Sequence, residues 1–518
     1  MNDEDSLILA IDFGTQSVRA SLFNKKGETI AMEKKEYNPP YHSSKPGEAE
    51  QDPDAFYLYM CQCTKALVLS YPELMERVQG MTVTCFRDSA VLLDKDRRVV
   101  RPTILWLDQR FAKCEDKLPF ISRVLFRLVG MTDAINMNRR RTIANWVKEN
   151  EPENWKKVDK YIPISTYFIY RMTGQLKDTA SDCTGHYPID FKRGDWYKHP
   201  EKNLKGQIFS LTRDQLCDIV PPSTLIGEIT ERGARETGLP KGLKLYAAGS
   251  DKSCESLGVG VTDSRIASVS LGTACSFSTT ITKYIEPFPF LPAYASCLKG
   301  RYNLEMQVYR GLWMINWFLK EFGATRINDL VLDNYLPEDF SKEMMKIPAG
   351  SDGLILQPYW GPMLDRPAVK GAIIGFSDST TRTHFYKAII EGLGYAMREA
   401  MERFEKKVGH KFSEIRISGG GASSPEVCQI MADIFGLPVV KVQTIETSSL
   451  GAAITGFLAI GTYKTPEEAV QAMVKPQETF QPNAENHKIY DNLFYNVYLK
   501  MYPSLKKSYA YLWQHTRN

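Results

Sequence analysis

The sequence predicts an α/β protein of two domains with a cleft between them. Its 518 residues exceed what one core holds, because a domain commonly takes roughly 150 residues. Apolar strand patterns alternate with helical patterns along the chain, and this alternation is typical of α/β architecture. A strand, a Gly-Thr turn and a second strand occur near the N-terminus and return about halfway along, which indicates a duplicated domain.

The two copies of this strand-turn-strand pattern differ beside the turn. They occupy Leu7–Phe23 and Ile266–Thr280. In the first copy Asp12 precedes Phe-Gly-Thr, whereas in the second copy Ser270 precedes Leu-Gly-Thr. We therefore expect similar turns in both domains but a carboxylate beside only one of them.

The remaining elements place the domain boundary near the middle of the chain. A hinge is predicted near Gly258–Ser264, so the N-terminal domain covers residues 1–260 and the C-terminal domain residues 261–518. The patterns also predict strands near Met81–Cys85, Ala90–Leu93 and Leu243–Ala248, a helix near Thr142–Glu149, and a C-terminal helix pair over about Asn483–Trp513.

The composition is that of an ordinary globular protein. The chain is 43% hydrophobic and 24% charged, and no apolar run approaches the roughly 20 residues that a membrane helix needs. A net charge of only +4, spread over the chain, does not indicate a nucleic-acid partner. The segment Met1–Ser6 lacks the sections of a secretory signal, so we expect a cytoplasmic protein without a membrane partner. Homodimer formation is left open.

Two further features have a simple structural interpretation. The basic run Arg139–Arg141 is interpreted as a solvated helix face, with the alternative that one arginine faces an anionic ligand. The ten cysteines form no C-x-x-C pair, and Cys61 and Cys63 are expected on different faces of a helix. Reduced thiols scattered through the core are therefore expected rather than a metal site.

The Gly-Thr turns are candidate phosphate-binding elements. A turn between two strands offers backbone N–H groups and a hydroxyl to an anion, and no lysine is required. Asp12 at the first turn could hold Mg2+ near the phosphates, largely through the water shell of the ion. Taken alone, such turns are also common structural features.

Three glycines, Gly419–Gly421, come directly before a well-marked helix. Ser424 fits its N-cap, Pro425 its first position and Gly436 its left-handed C-cap. Glycines at a helix N-terminus let a flat ring or a phosphate approach the backbone, although a tight structural turn explains them equally well. The chain contains no P-loop and no dinucleotide-binding glycine motif after a strand, so a nucleotide site must be of another design.

Asp251 follows the predicted strand that ends near Ala248, in the segment Gly-Ser-Asp-Lys. A carboxylate at a strand end beside a glycine can reach a ligand and can take a proton from an attacking hydroxyl. In isolation, an aspartate at such a position is often only a turn residue or a helix cap.

Together these segments resemble the FGGY family of carbohydrate kinases, over nearly the whole chain. The matching segments are Asp12–Ser17, Glu48–Pro53, Gly249–Asp251, Ser270–Thr273, Gly371–Glu391 and Gly419–Pro425. Two positions depart from the family pattern. Phe376 stands where a smaller aliphatic residue is usual, and Ile143 stands where a lysine usually precedes Trp146.

The resemblance implies two ribonuclease-H-like domains of the actin and hexokinase type that flank a catalytic cleft. It implies ATP and Mg2+ as cofactors, with Asp251 as the catalytic base and with Asp12 and Asp251 near the metal. It also implies a set of nucleotide-binding residues: Thr15, Gln16, Gly272, Thr273, Gly311, Asn316, Gly420, Gly421 and Ser424.

The implied substrate is a small sugar or polyol, either a ketose such as xylulose or a glycerol-like polyol. Arg87 and Asp88 occupy the substrate-reading position of the family, and an arginine beside a carboxylate suits adjacent hydroxyls. Trp106 could form an apolar wall for the carbon chain, or it could be an ordinary core residue, and Asp251 would contact the reacting hydroxyl. Lys252 could lower the pKa of the base or pair with a carboxylated sugar. The identity of the sugar stays open.

Two other classes of protein agree less well with the sequence than a kinase does. A non-catalytic relative that binds sugar or nucleotide as a regulator would be expected to lack Asp12, Asp251 or a glycine motif, and all of these are present. A simple ATPase of the actin-like group would lack the combination of Arg87, Asp88 and Asp251. The sequence therefore favours a carbohydrate kinase.

Overall fold

Two mixed sheets with the same succession of strand directions organise the protein. The computed structural model describes residues 6–288, 291–327, 330–334, 337–361, 363, 366 and 368–515. The first sheet contains β1 (Leu7–Phe13), β2 (Ser17–Asn24), β3 (Thr29–Glu36), β4 (Val78–Cys85), β5 (Leu225–Glu228) and β6 (Lys244–Ala247). Its spatial order is β5-β6-β4-β1-β2-β3, and β1 is buried along its whole length.

The second sheet repeats this topology. It contains β7 (Ile266–Leu271), β8 (Cys275–Ile281), β9 (Tyr294–Ala295), β10 (Tyr302–Val308), β11 (Glu414–Ser418), β12 (Val439–Val442) and β13 (Pro476–Phe480). Its order is β9-β10-β8-β7-β11-β12-β13. In each sheet an antiparallel meander of three strands is followed by two parallel neighbours and an antiparallel edge strand. The repeat inferred from the sequence thus corresponds to a repeated sheet.

Helices cover both sheets. They are α1 (Pro53–Ser70), α2 (Pro72–Met75), α3 (Phe120–Leu128), α4 (Thr132–Arg141), α5 (Ile143–Asn150), α6 (Pro152–Trp155), α7 (Ile164–Thr173), α8 (Glu231–Thr237), α9 (Asp251–Gly258), α10 (Trp313–Phe322), α11 (Pro337–Met344), α12 (Arg382–Val408), α13 (Pro425–Phe435), α14 (Thr447–Ala459), α15 (Pro466–Met473), α16 (Ala484–Leu493) and α17 (Leu499–His515). Among the helices that the structure describes, none has the length and apolar character needed to cross a bilayer.

Short strands form small additional pairs outside the two sheets. They are Glu50–Gln51, Ala90–Leu93, Thr103–Ile104, Lys160–Pro163, Lys177–Asp178, Ile189–Asp190, Asp195–Trp196, Asp218–Ile219, Ala324–Ile327, Leu330–Asn334, Ile355–Gln357 and Ala372–Ile374. The strands predicted near residues 81–85, 90–93 and 243–248 and the helix predicted near 142–149 are present, with ends that move by a few residues.

Helices α9 and α14 pack backbone to backbone between the two sheets. A Cβ atom added to Gly258 would lie 1.9 Å from the carbonyl oxygen of Thr447, and one added to Gly451 would lie 1.8 Å from that of Cys254. Helix α14 also contacts β1 and β4 of the first sheet, whereas α9 contacts β4 and β8. The two halves of the chain are therefore joined through this helix pair.

The C-terminal helices lie on the second half of the chain, as the sequence predicts. Tyr490 of α16 donates a hydrogen bond to Glu391 of α12, with 2.7 Å between Oη and Oε1. A π-helical turn, Phe494–Tyr498, connects α16 to α17.

The ten cysteines are free, and Cys61 and Cys63 are both buried in α1.

The basic run at the end of α4 is not a solvated face, so this prediction is wrong. Arg139 is buried, and its Nη2 donates to the carbonyl oxygen of Asp116 at 2.8 Å. Arg140 donates from Nε to the carbonyl oxygen of Ala112 at 3.2 Å. Both arginines satisfy backbone carbonyls of a neighbouring segment, a long-range relation that the local sequence does not contain.

Candidate active site

A cavity of about 1380 Å³ is lined by residues from both halves of the chain. Thr15 of the first Gly-Thr turn, Thr273 of the second and Asp251 all line it. The turns lie at the ends of β1 and β7, the corresponding strands of the two sheets. The repeated topology therefore brings the two predicted phosphate turns and the predicted base to one space.

Asp251 is the first residue of α9 and is partly buried. Two hydrogen bonds fix the segment before it: Thr84 donates to the carbonyl oxygen of Gly249 at 2.8 Å, and the N–H of Ser250 donates to Ser181 Oγ at 3.2 Å. Desolvation raises the pKa of Asp251 to about 6, although Lys252 and Arg87 act in the opposite direction. The carboxylate is thus ionised near neutral pH and basic enough to accept a proton.

Arg87 forms a buried ion pair with Glu305 of β10. The distance between Nη2 and Oε1 is 2.5 Å, and the two side chains are 9% and 5% exposed. The guanidinium also lies 5.3 Å from the centre of the Tyr294 ring. Desolvation would lower the pKa of Arg87, but Glu305 and Asp88 raise it above its ordinary value. The predicted sugar-binding arginine therefore also connects the two halves of the chain.

Three polar atoms around Asp88 lack a hydrogen-bond partner among the described residues. They are Asp88 Oδ1, Thr184 Oγ1 and His186 Nδ1, and their three residues line the cavity. Gly185 makes this arrangement possible, because a Cβ atom there would lie 1.7 Å from Asp88 Oδ1. Buried polar atoms are normally paired, so these three atoms on a cavity wall are candidate hydrogen-bonding partners for a ligand.

The electrostatics of this cluster favour a neutral imidazole. Burial lowers the pKa of His186 below its ordinary value, and Arg141 acts in the same direction, while Asp88 opposes both. Neutral His186 can accept a hydrogen bond from a hydroxyl through the ring nitrogen that carries no proton. Sequence reasoning missed Thr184 and His186, since no motif or spacing distinguishes them.

Trp106 lines the cavity and is hydrogen-bonded to the first Gly-Thr turn. Its Nε1 donates to Thr15 Oγ1 at 3.0 Å, and its backbone N–H donates to Ser89 Oγ at 3.1 Å. Because Thr15 accepts from the indole, its own hydroxyl proton is left to donate to another acceptor. A hydrogen bond thus connects Trp106, the predicted apolar wall for the sugar, to Thr15, a predicted phosphate-binding residue.

Lys252 extends toward the second Gly-Thr turn. Its Nζ lies 2.7 Å from Glu255 Oε2 and 3.1 Å from Oγ of Ser270, the residue that replaces the aspartate of the first turn. Ser418 at the end of β11 donates to the other oxygen of Glu255 at 2.7 Å. These contacts place the ammonium beside the second Gly-Thr turn, and they do not support the expectation that it pairs with a carboxylated sugar. The other expectation agrees with the structure, since desolvation raises the pKa of Asp251 and Lys252 acts to lower it.

Asp12 is 5% exposed and lies beside the start of α14. Ser449 donates to its Oδ2 at 3.2 Å. Desolvation raises the pKa of Asp12 to about 7, with Arg19 acting against it and Asp251 acting with it. No group of three potential metal-ligating side chains occurs in the described part of the chain. A cation here would take Asp12 and Asp251 as its candidate protein ligands, a set that fits Mg2+ held mostly by phosphates and water.

Three of the predicted nucleotide-binding segments converge beside the second turn. The N–H of Leu312 donates to the carbonyl oxygen of Gly272 at 3.0 Å. A Cβ atom on Gly311 would lie 2.4 Å from the backbone nitrogen of Cys275, and one on Gly421 would lie 2.6 Å from the Leu312 side chain. Gly311 is therefore required by a close approach of two backbone segments, whereas Gly421 makes room for the side chains of Leu271 and Leu312.

Other predicted nucleotide residues lie outside the cavity lining. Gln16, Asn316 and Gly420 are exposed. Ser424 caps α13 as predicted: its Oγ accepts from the N–H of Val427 at 3.3 Å and lies 2.7 Å from Glu426 Oε2. These contacts use the Ser424 hydroxyl within the helix cap, which favours a structural role over nucleotide binding.

Comparison with known proteins agrees with this arrangement. The model of the N-terminal domain of the FGGY family of carbohydrate kinases matches residues 7–258, and the model of its C-terminal domain matches residues 267–460. The chain belongs to the FGGY family of carbohydrate kinases. Family membership confirms the predicted resemblance and enzyme class, and it implies ATP as the phosphate donor. The predicted bounds 1–260 and 261–518 stay a prediction.

Relatives and solved structures match nearly the whole length of this kinase. Xylulose kinase of Bacillus subtilis is 26% identical over 521 residues, covering 96% of this chain and 97% of the relative. The uncharacterized sugar kinase YgcE of Escherichia coli is 26% identical, covering 97% of this chain and 95% of the relative.

The structural neighbours confirm the two-domain fold. The ligand-bound xylulose kinase from Lactobacillus acidophilus has a TM-score of 0.81 at 22% identity and covers 98% of this chain and 99% of its own. The glycerol kinase of Plasmodium falciparum with ADP has a TM-score of 0.74 at 17% identity, covering 96% and 98%.

Proposed function

We propose that this kinase transfers the γ-phosphoryl group of ATP to a hydroxyl of a small open-chain ketose or polyol, with Asp251 as the general base. One observation carries the proposal: Asp251 and the threonines of both Gly-Thr turns, Thr15 and Thr273, line a single cavity. A base and two phosphate-binding turns around one space are what transfer from ATP to a hydroxyl requires.

The chemical step needs one proton acceptor. The hydroxyl oxygen of the carbohydrate attacks the γ-phosphorus, the bond to the β-phosphate oxygen breaks, and ADP leaves. The Asp251 carboxylate takes the hydroxyl proton during this step, and the pKa of about 6 supports that role near neutral pH. Exclusion of water by the enclosing domains would limit hydrolysis of ATP.

The phosphates are assigned to the two turns. The indole N–H of Trp106 donates to Thr15 Oγ1, so the hydroxyl proton of Thr15 stays available for donation to a phosphate oxygen. Lys252 lies beside Ser270 and adds positive charge at the second turn. Mg2+, when bound, would neutralise phosphate charge, with Asp12 and Asp251 as its candidate ligands.

We assign the carbohydrate hydroxyls to the cluster of Asp88, Thr184 and His186. Asp88 Oδ1, Thr184 Oγ1 and His186 Nδ1 are unpaired on the cavity wall among the described residues. Acceptors and a hydroxyl in this arrangement suit several adjacent hydroxyls of an open chain, while Trp106 covers the carbon skeleton.

The test is a screen of purified enzyme for carbohydrate-dependent ADP release. The panel contains glycerol, erythritol, pentuloses, hexuloses, sedoheptulose and the corresponding sugar acids, each with Mg-ATP. We expect at least one of these compounds to raise ADP release well above the rate without carbohydrate, and mass spectrometry to show one added phosphoryl group. If no member of the panel does so, the proposed reaction is wrong.

A further inference from the structure

Arg141, at the end of α4, is a cation on the cavity wall without a carboxylate partner. Its guanidinium lies 5.9 Å from the centre of the Phe111 ring and 5.6 Å from that of the Tyr309 ring. Among the described residues, no carboxylate oxygen lies within 4.0 Å of its nitrogen atoms. Two aromatic rings therefore hold the guanidinium in place but do not neutralise it.

Several other cations of the cavity have carboxylate partners. Arg87 pairs with Glu305 at 2.5 Å, Arg110 with Asp108 at 2.6 Å and Lys252 with Glu255 at 2.7 Å. These three contribute little uncompensated charge to a ligand, because a nearby carboxylate offsets each of them. Arg141 differs from them in that its charge is open to the cavity.

Arg141 belongs to the carbohydrate end of the cavity. It lies close enough to His186 to act on the pKa of that imidazole, as Asp88 also does. Tyr309, which covers the guanidinium, lines the same cavity as Asp88 and His186. The open cation therefore adjoins the unpaired atoms that we assign to carbohydrate hydroxyls.

We infer that the carbohydrate carries a carboxylate and that Arg141 binds it, so that the substrate is a polyhydroxy acid. This inference rests on the proposed function and adds a carboxylate to the small open-chain carbohydrate that is proposed there. A planar guanidinium donates two parallel hydrogen bonds to a carboxylate, and stacking on aromatic rings fixes its orientation for that purpose. A substrate carboxylate would also compensate the charge that the protein leaves unpaired.

The first test needs no variant. The kcat/KM of the wild-type enzyme is measured for aldonates and for the alditols and ketoses of equal chain length, all with saturating Mg-ATP. A charge-assisted pair predicts a preference of about 10- to 100-fold for the acid. Equal or higher kcat/KM for the neutral compounds overturns the inference but leaves the kinase intact. Higher kcat/KM for a sugar phosphate than for the acid overturns it as well, since Arg141 would then read a phosphate.

The second test changes the cation. Arg141→Gln should raise KM for the acid by about 10- to 100-fold with little change in kcat, and should leave the kinetics of the neutral analogue unchanged. Arg141→Lys should recover part of the loss. Arg140→Gln is the matched control, because Arg140 adjoins Arg141 but bonds to Ala112 and does not line the cavity.

The outcomes separate this inference from the proposed function. An equal fall of kcat for acid and neutral compounds in Arg141→Gln assigns Arg141 to the transferred phosphate and overturns the inference. If Arg141→Gln does not fold, the preference of the wild-type enzyme for acid over neutral compounds and the kinetics of Arg141→Lys still test the inference. If no carbohydrate is phosphorylated at all, it is the proposed function that fails.

Discussion

Arg87 and Glu305 join the two halves of the chain through an ion pair with 2.5 Å between Nη2 and Oε1. Arg87 follows β4 of the first sheet, and Glu305 lies within β10 of the second. Because both side chains are almost fully buried, neither charge can be left alone without a large desolvation penalty. Under the proposed function, this pair couples carbohydrate recognition to the contact between the two halves of the chain.

Replacing Arg87 should therefore affect both stability and carbohydrate binding. In Arg87→Ala the Glu305 carboxylate is buried without its partner, which costs about 3–5 kcal/mol of unfolding free energy. We also expect a higher KM for the carbohydrate, while KM for ATP changes little. Urea unfolding and steady-state kinetics measure the two effects.

The double variant Arg87→Ala/Glu305→Gln is the control for this prediction. Removal of both charges should restore part of the unfolding free energy that the single variant loses, since no unpaired charge remains. A double variant that loses the full sum of the two single losses would show that the residues do not interact energetically.

Removal of the base should strongly lower the turnover rate and should have little effect on nucleotide binding. Asp251→Asn keeps the size of the side chain but cannot accept the hydroxyl proton, so turnover should fall by about two to four orders of magnitude. The Kd for ATP, measured by calorimetry with Mg2+, should stay within a few-fold of the wild-type value. Near-normal turnover in this variant would remove Asp251 from the mechanism.

The pH profile should report the ionisation of Asp251. The base must be ionised, and desolvation raises its pKa to about 6, so kcat/KM for the carbohydrate should fall as pH decreases through about 6. Lys252 lowers this pKa, so Lys252→Met should move the acid limb of the profile to higher pH. A limb that stays in place in Lys252→Met would contradict the assignment of the profile to Asp251.

Two substitutions of Trp106 should separate its ring from its N–H group. Trp106→Phe keeps an aromatic wall but removes the donor to Thr15, so KM for ATP should rise by about 3- to 10-fold with a smaller effect on the carbohydrate. Trp106→Ala removes the wall too and should raise both KM values. If Trp106→Phe leaves KM for ATP unchanged, the indole hydrogen bond does not orient Thr15.

A methyl group at Gly185 should interfere with the carbohydrate end of the cavity. In Gly185→Ala the new Cβ atom would lie 1.7 Å from Asp88 Oδ1, which forces the carboxylate to move. We expect KM for the carbohydrate to rise by at least tenfold while ATP binding is retained. Gly194→Ala is the matched control, because Gly194 has a similar positive φ of 67° but no atom within 4 Å of the added group.

The helix ends and turns around the site could be predicted from the local sequence. Ser424 caps α13, Pro425 begins it and Gly436 ends it in the left-handed conformation, as their side-chain properties indicate. The two Gly-Thr turns can be predicted because each lies at the end of a strongly apolar strand, whereas Asp251 follows the less apolar strand Lys244–Ala247 and is assigned through the resemblance of the surrounding segments to the family.

The parts that the sequence did not reveal depend on contacts between distant residues. Glu305 looks like an ordinary strand residue until the fold places it beside Arg87, 218 positions away. The sequence predicts that Lys252 either lowers the pKa of the base or pairs with a carboxylated sugar, and only the fold shows its partners Glu255 and Ser270 beside the second Gly-Thr turn. Thr184 and His186 were missed because their unpaired atoms are a property of the assembled cavity wall.

The backbone contact between α9 and α14 fixes the position of one part of the site but not of the other. At Gly258 and Gly451 the spacing between these helices is set by main-chain atoms alone, so it does not change when other side chains vary. Asp251 and the end of β1 are held to this spacing, whereas Asp88, Arg141 and His186 lie on segments outside the helix pair. Substitutions in the cavity wall around Asp88, Arg141 and His186 should therefore leave the spacing between Asp251 and the end of β1 unchanged.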